Sequence, residues 1–442
     1  MDKHSDTPHP SLRRAFRFGL FQTGAALTDL LTSGIWNRIL ISDLKMMAWP
    51  VALLSALKYL LVPLTLWIGH WSDTKPLFRR YRLPYIFIGR LLVLIGLCFL
   101  PLSVSMLAKG DQWGWGVALF AMLLSGIGST ASGAPFLALV KDNFSYQKRG
   151  LAISIVETFL IASFALAPPI LGGFMPHYSP DLFAKLTYGV LVVAGLLWLV
   201  SLWGAEPPMS QPVKAKPEPY TPVLQVVKHI WAEPQSRNYA YFVAASAFFA
   251  FMQDAMLEPF GGDVFALGVG ETTRFNAWWG TGVLISMMTT TFLTRKWPPH
   301  FHQMTTGIGL AVTAVMMGTL GLVALMKLQI LLYPTLFLLG VGFGLYGIGG
   351  YSLLILVNTD EHTGAYLALW TVVQLLARGA GIFAGGVIRD VGFALSGTYA
   401  VAYALLFCIE AFGLFLALYL LKRVRLSVFV KDGSNTNTNV VR

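Results

Sequence analysis

Twelve apolar stretches, separated by polar connections, run along this chain of 442 residues. Most are close to the roughly 20 residues that an α-helix needs to cross the hydrocarbon core of a bilayer. The pattern therefore predicts an all-α integral membrane protein with twelve transmembrane helices. The predicted spans are residues 17–40, 49–69, 84–108, 115–140, 150–174, 184–204, 238–258, 275–294, 303–326, 330–357, 364–388 and 395–421. The eighth and ninth are the least sharply bounded of the twelve.

One long connection divides the pattern into two sets of six spans. Seven prolines between residues 205 and 237 prevent a continuous helix and favour an extended, semi-rigid chain. We therefore predict a six-helix bundle at 1–204, a cytoplasmic proline-rich linker at 205–237, a second six-helix bundle at 238–426 and a cytoplasmic tail at 427–442. The glycine pairs Gly172-Gly173 and Gly385-Gly386, at equivalent depths of the two sets, are expected to serve close helix packing.

The distribution of charge agrees with a membrane setting. Only 12% of the residues are charged, about half of the roughly 25% that is typical of soluble domains. Of the 32 lysines and arginines, 22 fall in the termini and in alternate connections of one side. Because cytoplasmic loops carry the excess of these residues, both termini are predicted to be cytoplasmic. This topology explains the net charge of +11 without nucleic acid as a partner.

The connection between the second and third spans carries a recognisable motif. It begins Gly69-His-Trp-Ser-Asp73 and continues to the paired arginines Arg79 and Arg80. Gly69 is expected to let two helices approach closely. The motif resembles the signature loop of major facilitator superfamily transporters, in which an acid engages the end of a facing helix as a conformational latch. The same cations are also explained by the positive charge that fixes membrane topology, so the latch and the topological interpretation both remain open.

Four separated stretches carry a more specific resemblance, which extends over nearly the whole chain. They are similar to motifs of the PucC/LhaA-type bacteriochlorophyll delivery family of the major facilitator superfamily. The stretches are Leu31–Ile41, Ile68–Tyr85, Met252–Val264 and Gly364–Asp390.

The family resemblance implies two six-helix bundles that enclose a central cavity, in an inner or photosynthetic membrane. It also implies a factor that binds or moves (bacterio)chlorophyll for light-harvesting complex assembly. The partners would be tetrapyrrole pigment and light-harvesting or reaction-centre subunits, with (bacterio)chlorophyll as cargo and no intrinsic cofactor.

Ionisable side chains inside apolar spans are candidates for function, because charge near the bilayer centre costs at least about 2.5 kcal/mol. Asp29 and Asp254 hold similar places in the first and seventh spans, which line the cavity in the superfamily. Glu157, Glu410 and Arg378 are also deeply placed. Cavity function and structural pairing are equally good explanations for them. Gln374 joins the cavity candidates because it ends the family pattern that contains Trp370.

The segment Glu258-Pro-Phe-Gly-Gly-Asp263 is predicted to end the seventh span. Pro259 prevents helix continuation, and Gly261 and Gly262 are expected to supply backbone conformations closed to other residues. A hinge of a gate and a plain extracellular turn both fit this pattern. Asp263 and Arg38 hold equivalent places in their halves and could form an ion pair when the outer side is shut.

Four side chains are candidates for contact with pigment. A magnesium macrocycle needs an axial donor, which neutral imidazole supplies. His70 combines a family motif with the end of a span, although a histidine bonded to nearby backbone explains the same position. Trp36, Phe260 and Trp370 lie inside family motifs, and ordinary packing is their alternative role.

Two other functions are alternatives to pigment delivery. One is a proton-coupled major facilitator transporter of another small amphiphilic molecule. The other is a membrane enzyme such as a prenyltransferase, which would need clustered aspartates to hold magnesium diphosphate. Asp73 and Asp142 stand alone in their loops, and no nucleophile–base pattern or metal-ligand spacing is present in the sequence. We therefore expect a protein that is not an enzyme.

Overall fold

The computed structural model describes residues 12–206, 231, 234–294, 300–357 and 363–424. These residues form fifteen α-helices, joined by short turns. The helices are α1 Leu12–Asp29, α2 Ala48–Leu60, α3 Pro63–Thr74, α4 Leu83–Cys98, α5 Leu100–Ala108, α6 Trp113–Asp142, α7 Arg149–Phe174, α8 Pro180–Leu202, α9 Pro234–Ala250, α10 Leu257–Phe265, α11 Val269–Thr294, α12 His300–Met326, α13 Gln329–Val357, α14 Thr363–Ser396 and α15 Tyr399–Arg423.

The described helices group into twelve spans that run back and forth. The first span continues from α1 into two π-helical segments, Leu30–Trp36 and Ile39–Asp43. The second joins α2 to α3, the third joins α4 to α5, and the seventh joins α9 to α10. In α3 and α5 a proline occupies one of the first two helical positions, where its missing N–H is not needed. Each remaining span is a single helix.

Within the described residues, nine spans are long and apolar enough to cross a membrane. The ninth span is among them. The first, seventh and eighth are not: the first and seventh are interrupted, and the eighth carries Glu271, Arg274 and Asn276. These three spans also supply residues to the contact between the two halves of the molecule.

The first six spans form one half and the last six form the other. The fifth span packs on the eighth and the second packs on the eleventh. A Cβ atom on Gly172 would lie 2.6 Å from the carbonyl oxygen of Gly270, and one on Gly386 would lie 2.6 Å from the Cβ of Ala52. The expected packing role is confirmed for Gly172, Gly385 and Gly386, whereas a Cβ atom on Gly173 would meet nothing within 4 Å. Most of the proline-rich linker, and the tail at 427–442, lie outside the described residues.

The molecule has two ends, which we name by their position relative to the membrane axis. The basic face carries the turn between α3 and α4. The far face is the opposite end. Both crossings between the halves, Gly172 with Gly270 and Gly386 with Ala52, lie in the part of the spans toward the far face. The halves are therefore tied together at that end.

The seventh span is broken earlier than the sequence predicts. The helix ends at Ala250, residues 251–256 form turns, and a new helix starts at Leu257. Pro259 lies in the first turn of α10 and does not end a helix, so that prediction was wrong. In a first turn the N–H that proline lacks has no partner to lose. Gly261 and Gly262 are helical, and the left-handed residue that ends α10 is Ala266, with φ 56°.

Candidate functional site between the two halves

Asp29 and Lys58 form an ion pair inside the first half. The Lys58 Nζ lies 3.0 Å from Asp29 Oδ1. Asp29 ends the α-helical part of the first span, where the π-helical segment begins, and Lys58 lies near the end of α2. The Asp29 side chain keeps 40% of its surface open. The pair therefore faces open space and is not enclosed in dry packing.

Asp254 and Arg378 form the matching ion pair of the second half. The Arg378 Nη2 and Nε atoms lie 2.7 and 3.1 Å from Asp254 Oδ2. Asp254 stands in the broken stretch of the seventh span and Arg378 stands in α14. Arg378 is therefore balanced by an acid of its own half.

The ring of Tyr59 joins the two pairs across the interface. It lies 4.5 Å from the Arg378 guanidinium carbon and 5.0 Å from Lys58 Nζ, measured to the ring centroid. A cation over an aromatic face is attracted by the ring quadrupole. We call Asp29, Lys58, Asp254 and Arg378 the central charge cluster. Its formal charges cancel, so the cluster can remain between apolar spans.

A polar cavity adjoins the cluster in the first half, between the first, second and fourth spans. Counted with the space open to solvent, it measures about 400 Å³. The hydroxyl groups that line it alongside Asp29 and Lys58 belong to Thr28, Thr32, Ser33, Ser55, Ser125 and Ser129. This cavity suits water or a small polar ligand.

An aromatic cavity lies in the second half, between the seventh, tenth and eleventh spans. It measures about 470 Å³, again including open space. Four rings and one amide dominate its lining, namely Tyr239, Phe242, Tyr346, Trp370 and Gln374. The Trp370 ring meets that of Tyr239 edge to face at 4.8 Å. The Trp370 Nε1 is buried and has no hydrogen-bond partner among the described residues.

At the far face, the carboxylate of Asp263 holds the two halves together. From the first half it accepts hydrogen bonds from Lys45 Nζ at 3.0 Å and Ser42 Oγ at 2.8 Å. From its own half it accepts bonds from Arg389 Nη2 at 2.7 Å and the Tyr403 hydroxyl at 2.9 Å. We call these five residues the far-face closure.

The proposed pair of Arg38 with Asp263 is not formed. Arg38 instead pairs with Asp43 at 2.9 Å and donates to the carbonyl oxygen of Leu267 at 2.8 Å. Residues 38 and 43 are five apart, which is the spacing that a π-helix aligns, and the chain is π-helical there. Arg38 therefore still spans the two halves, through Leu267. Gly262 leaves the space that its guanidinium group occupies.

Glu258 makes a further contact between the halves. Its carboxylate accepts hydrogen bonds from Asn276 Nδ2 at 2.6 Å and Thr273 Oγ1 at 3.3 Å. A Cβ atom on Gly34 of the first span would overlap this carboxylate. The absence of a side chain at Gly34 thus allows the first and seventh spans to pack closely at this point.

On the basic face, the acid of the loop motif pairs with an arginine at the start of α4. Asp73 pairs with Arg82, and Arg82 Nε lies 3.3 Å from Asp142. Arg80 forms a backbone bridge with Leu77 in the turn, while Arg79 is exposed with φ 61°. Asp73 is therefore held by Arg82, within the first half.

Glu206 completes this network and was missed by the sequence reasoning. Its carboxylate accepts the backbone N–H groups of Tyr81 at 2.8 Å and Leu83 at 2.7 Å. It thereby caps the start of α4 from the end of the sixth span. Gly69 does not serve the expected close approach, since a Cβ there would meet only Ala134, at 4.0 Å.

Comparison with known proteins decides the family. A model of the PUCC protein family matches residues 35–429. The chain belongs to the PucC family. Protein PucC of Cereibacter sphaeroides is 30% identical over 429 residues, which cover 92% of this chain and 91% of that protein. A Rhodobacter capsulatus protein named "Bacteriochlorophyll synthase 44.5 kDa chain" is 28% identical over 386 residues, covering 85% of this chain and 87% of its own length.

Solved structures confirm the fold. A bacterial homologue of the human lysosomal transporter Spinster, in an inward-facing and unoccupied conformation, matches with a TM-score of 0.73 at 16% identity. The match covers 97% of this chain and 99% of that one. This member of the PucC family is therefore a multi-pass membrane protein with the major facilitator superfamily fold.

The four pigment-contact candidates of this PucC family member occupy different surroundings. Trp36 and Phe260 are fully buried, and Phe260 is enclosed by the rings of Tyr403 and Phe407 at 5.4 and 5.0 Å. His70 is exposed near the end of α3. Of the four, Trp370 is the one that lines either of the two cavities described above.

Other buried polar groups serve the packing of the first half. Glu157 accepts a hydrogen bond from Gln22 at 3.0 Å, which ties the fifth span to the first. Arg90 is buried, with its guanidinium carbon 4.3 Å from the Phe21 ring centroid and 4.8 Å from that of Trp198. Cation–π contact stabilises it there.

Proposed function

We propose that this protein binds (bacterio)chlorophyll and presents it for light-harvesting complex assembly, without chemical change to the pigment. Membership of the PucC family supports the proposal, as does the name of the Rhodobacter capsulatus relative. The observation that carries it in this chain is the aromatic cavity with Trp370. Light-harvesting or reaction-centre subunits would receive the pigment.

The chemistry of the aromatic cavity suits a conjugated macrocycle. Four aromatic rings offer faces and edges to a flat π-system. The Trp370 indole N–H lacks a partner within the described residues and can donate to a carbonyl group of the macrocycle. The Gln374 amide supplies both a donor and an acceptor beside it. The named lining residues include no histidine, so a water or a carbonyl oxygen would be the axial ligand of magnesium.

The size of the cavity limits how the pigment would be held. A volume of about 470 Å³, open space included, lies in the range of ordinary small-ligand sites. A four-pyrrole macrocycle with its isoprenoid tail is larger. One edge of the macrocycle would enter between the seventh, tenth and eleventh spans, while the tail remains in lipid. A pigment held in this way can be handed sideways to a membrane partner.

The membrane orientation is part of the proposal. The turn between α3 and α4, with Lys75, Arg79, Arg80 and Arg82, would lie in the cytoplasm together with both termini. The far-face closure would then seal the molecule on the opposite side of an inner or photosynthetic membrane. The space between the halves would then open toward the cytoplasm.

The test is the absorption spectrum of the protein purified gently from pigment-producing cells. We expect bound tetrapyrrole in the unaltered protein and about tenfold less in Trp370→Leu, since the loss of roughly 1.4 kcal/mol of stacking and hydrogen bonding is a factor of ten. Trp113→Leu is the matched control, because Trp113 is exposed at the far face. A pigment-free protein, or equal pigment in both variants, would overturn the proposal.

A second function, proton-coupled transport of another small amphiphile, is favoured by the central charge cluster. Paired acids and bases at the interface of two halves are typical of transporters that couple ion and substrate movement. Uptake of a non-pigment substrate that collapses with the proton gradient, together with absence of pigment, would establish this alternative.

A further inference from the structure

Glu410 lies in surroundings unlike those of the other acids. It stands about halfway along α15 and is 0% exposed. Neither of its carboxyl oxygens has a hydrogen-bond partner among the described residues. Phe407 and Leu414, one turn on either side, are fully buried, and the Phe249 ring fills the space left by Gly413.

The broken stretch of the seventh span approaches this carboxyl. The backbone of Gln253 lies beside it, and Asp254 is within electrostatic range. The side-chain oxygen of Gln253 is also buried without a donor among the described residues. A protonated Glu410 carries an O–H donor, and the other unpartnered group nearby, the Gln253 side-chain oxygen, is an acceptor.

Within the part of the chain that the structure describes, no neighbouring cation compensates a negative charge on Glu410. On the seventh and eleventh spans, Arg378 is held by Asp254 and Arg389 is held by Asp263. The ninth span has no ionisable side chain between His302 and Lys327. The other titratable residues of α15 are Tyr399, Tyr403, Cys408, Tyr419, Lys422 and Arg423, and those of the elements packed against it are Arg237, Tyr239, Tyr241, Glu258, His300, Tyr366 and Asp390. The arginines and the lysine among them lie in the first or last turn of their helices, whereas Glu410 lies about halfway along α15. A buried carboxylate with neither a cation nor a side-chain donor beside it is strongly disfavoured relative to the neutral acid.

We propose that Glu410 is a proton-binding site whose occupancy is coupled to the Asp254–Arg378 ion pair through the break in the seventh span. The proton is held while the carboxyl is enclosed. It leaves to water when residues 251–256 move and admit solvent. The carboxylate that remains then repels the Asp254 carboxylate, which weakens the Asp254–Arg378 pair. The inference does not depend on pigment binding.

Infrared spectroscopy of the full chain in lipid nanodiscs tests the protonation. We expect a C=O stretching band of a protonated carboxylic acid at neutral pH, lost in Glu410→Gln and retained in Glu157→Gln. Glu157 is the matched control because Gln22 already bonds it. Identical spectra of the unaltered protein and Glu410→Gln would overturn the proposal. If Glu410→Gln fails to fold, Gln253→Leu should shift the band, and an unshifted band would refute the site.

Spin labels test the coupling. Trp113 and Leu395 are exposed at the far face of opposite halves and can be replaced by labelled cysteines, with Cys98 and Cys408 changed to alanine. In labelled protein that retains Glu410, the distance distribution between the two labels should shift with pH. In the labelled Glu410→Gln variant it should not. Glu157→Gln should shift as the unaltered protein does. A pH-dependent change of this distance that persists in Glu410→Gln would show that another group carries the coupling, and would overturn the proposal.

Discussion

The carboxylate of Asp390 accepts the backbone N–H of Ala48 at 3.0 Å, so that a side chain of the second half caps a helix of the first. Its other oxygen accepts the N–H of Trp49 at 2.9 Å. Acids at helix N-termini satisfy unpaired N–H groups and complement the helix dipole. Here the cap also joins the halves, so it exists only while the far face is closed.

Removal of this cap should open the far face. Asp390→Ala is expected to lower stability by about 1 kcal/mol and to increase labelling of a cysteine placed at the far-face interface. Ser179→Ala is the control, because Ser179 caps α8 within one half by accepting the Leu182 N–H at 3.2 Å. It should lower thermal stability by a similar amount without changing the labelling. Equal labelling of both variants would contradict a role of the Asp390 cap in closure.

The two ion pairs of Asp263, with Arg389 and with Lys45, should differ greatly in their contribution to stability. Asp263 and Arg389 are both buried, with side chains 0% and 5% exposed, whereas Lys45 is 54% exposed. Loss of one partner of a buried pair leaves an uncompensated charge, so Asp263→Asn should cost about 3 kcal/mol. Lys45→Ala should cost less than about 1 kcal/mol, because solvent screens an exposed pair. Thermal unfolding in detergent measures both, and comparable losses would show that burial does not set the strength.

The outline of the fold follows from local sequence, whereas the partners at the interface do not. Twelve apolar stretches are visible because each span must hide its backbone from lipid within itself. Asp254 and Arg378, by contrast, are 124 positions apart and meet only through the packing of two spans. The sequence can identify acids deep in the membrane as candidates, because a charge there costs free energy, but it cannot show which base each acid pairs with.

Two errors at the far face have local physical causes. The sequence pattern places a helix end at Pro259, although proline is equally compatible with a first turn, and the broken stretch before it holds no proline. The equivalence of the two halves predicts a pair of Arg38 with Asp263. A π-helical turn aligns it with Asp43 instead. The sequence signal for the partners seen in the structure was the adjacent pair Arg389 and Asp390, which ends the family stretch Gly364–Asp390.

The Asp254–Arg378 pair should behave as one unit. Asp254→Asn and Arg378→Gln should each destabilise the protein, and the double variant should lose less than the sum by about 0.5–3 kcal/mol. Asp254→Asn combined with Glu157→Gln shares no partner and should be additive within about 0.5 kcal/mol. The free energies come from thermal or denaturant unfolding in detergent. Additive losses for Asp254 and Arg378 would mean that their contact contributes nothing beyond the separate side chains.

Gly34 should be the residue that sets how closely the first and seventh spans approach. Its missing Cβ leaves the space that the buried Glu258 carboxylate occupies. Gly34→Ala should therefore force the spans apart at a cost of about 1–3 kcal/mol, with increased far-face labelling. Gly173→Ala, at a helical glycine with nothing within 4 Å, should be neutral or stabilising by up to about 1 kcal/mol. Because Glu258→Ala removes the obstructing atoms, it should restore closure to Gly34→Ala. A double variant as open as Gly34→Ala alone would place the strain elsewhere than at this carboxylate.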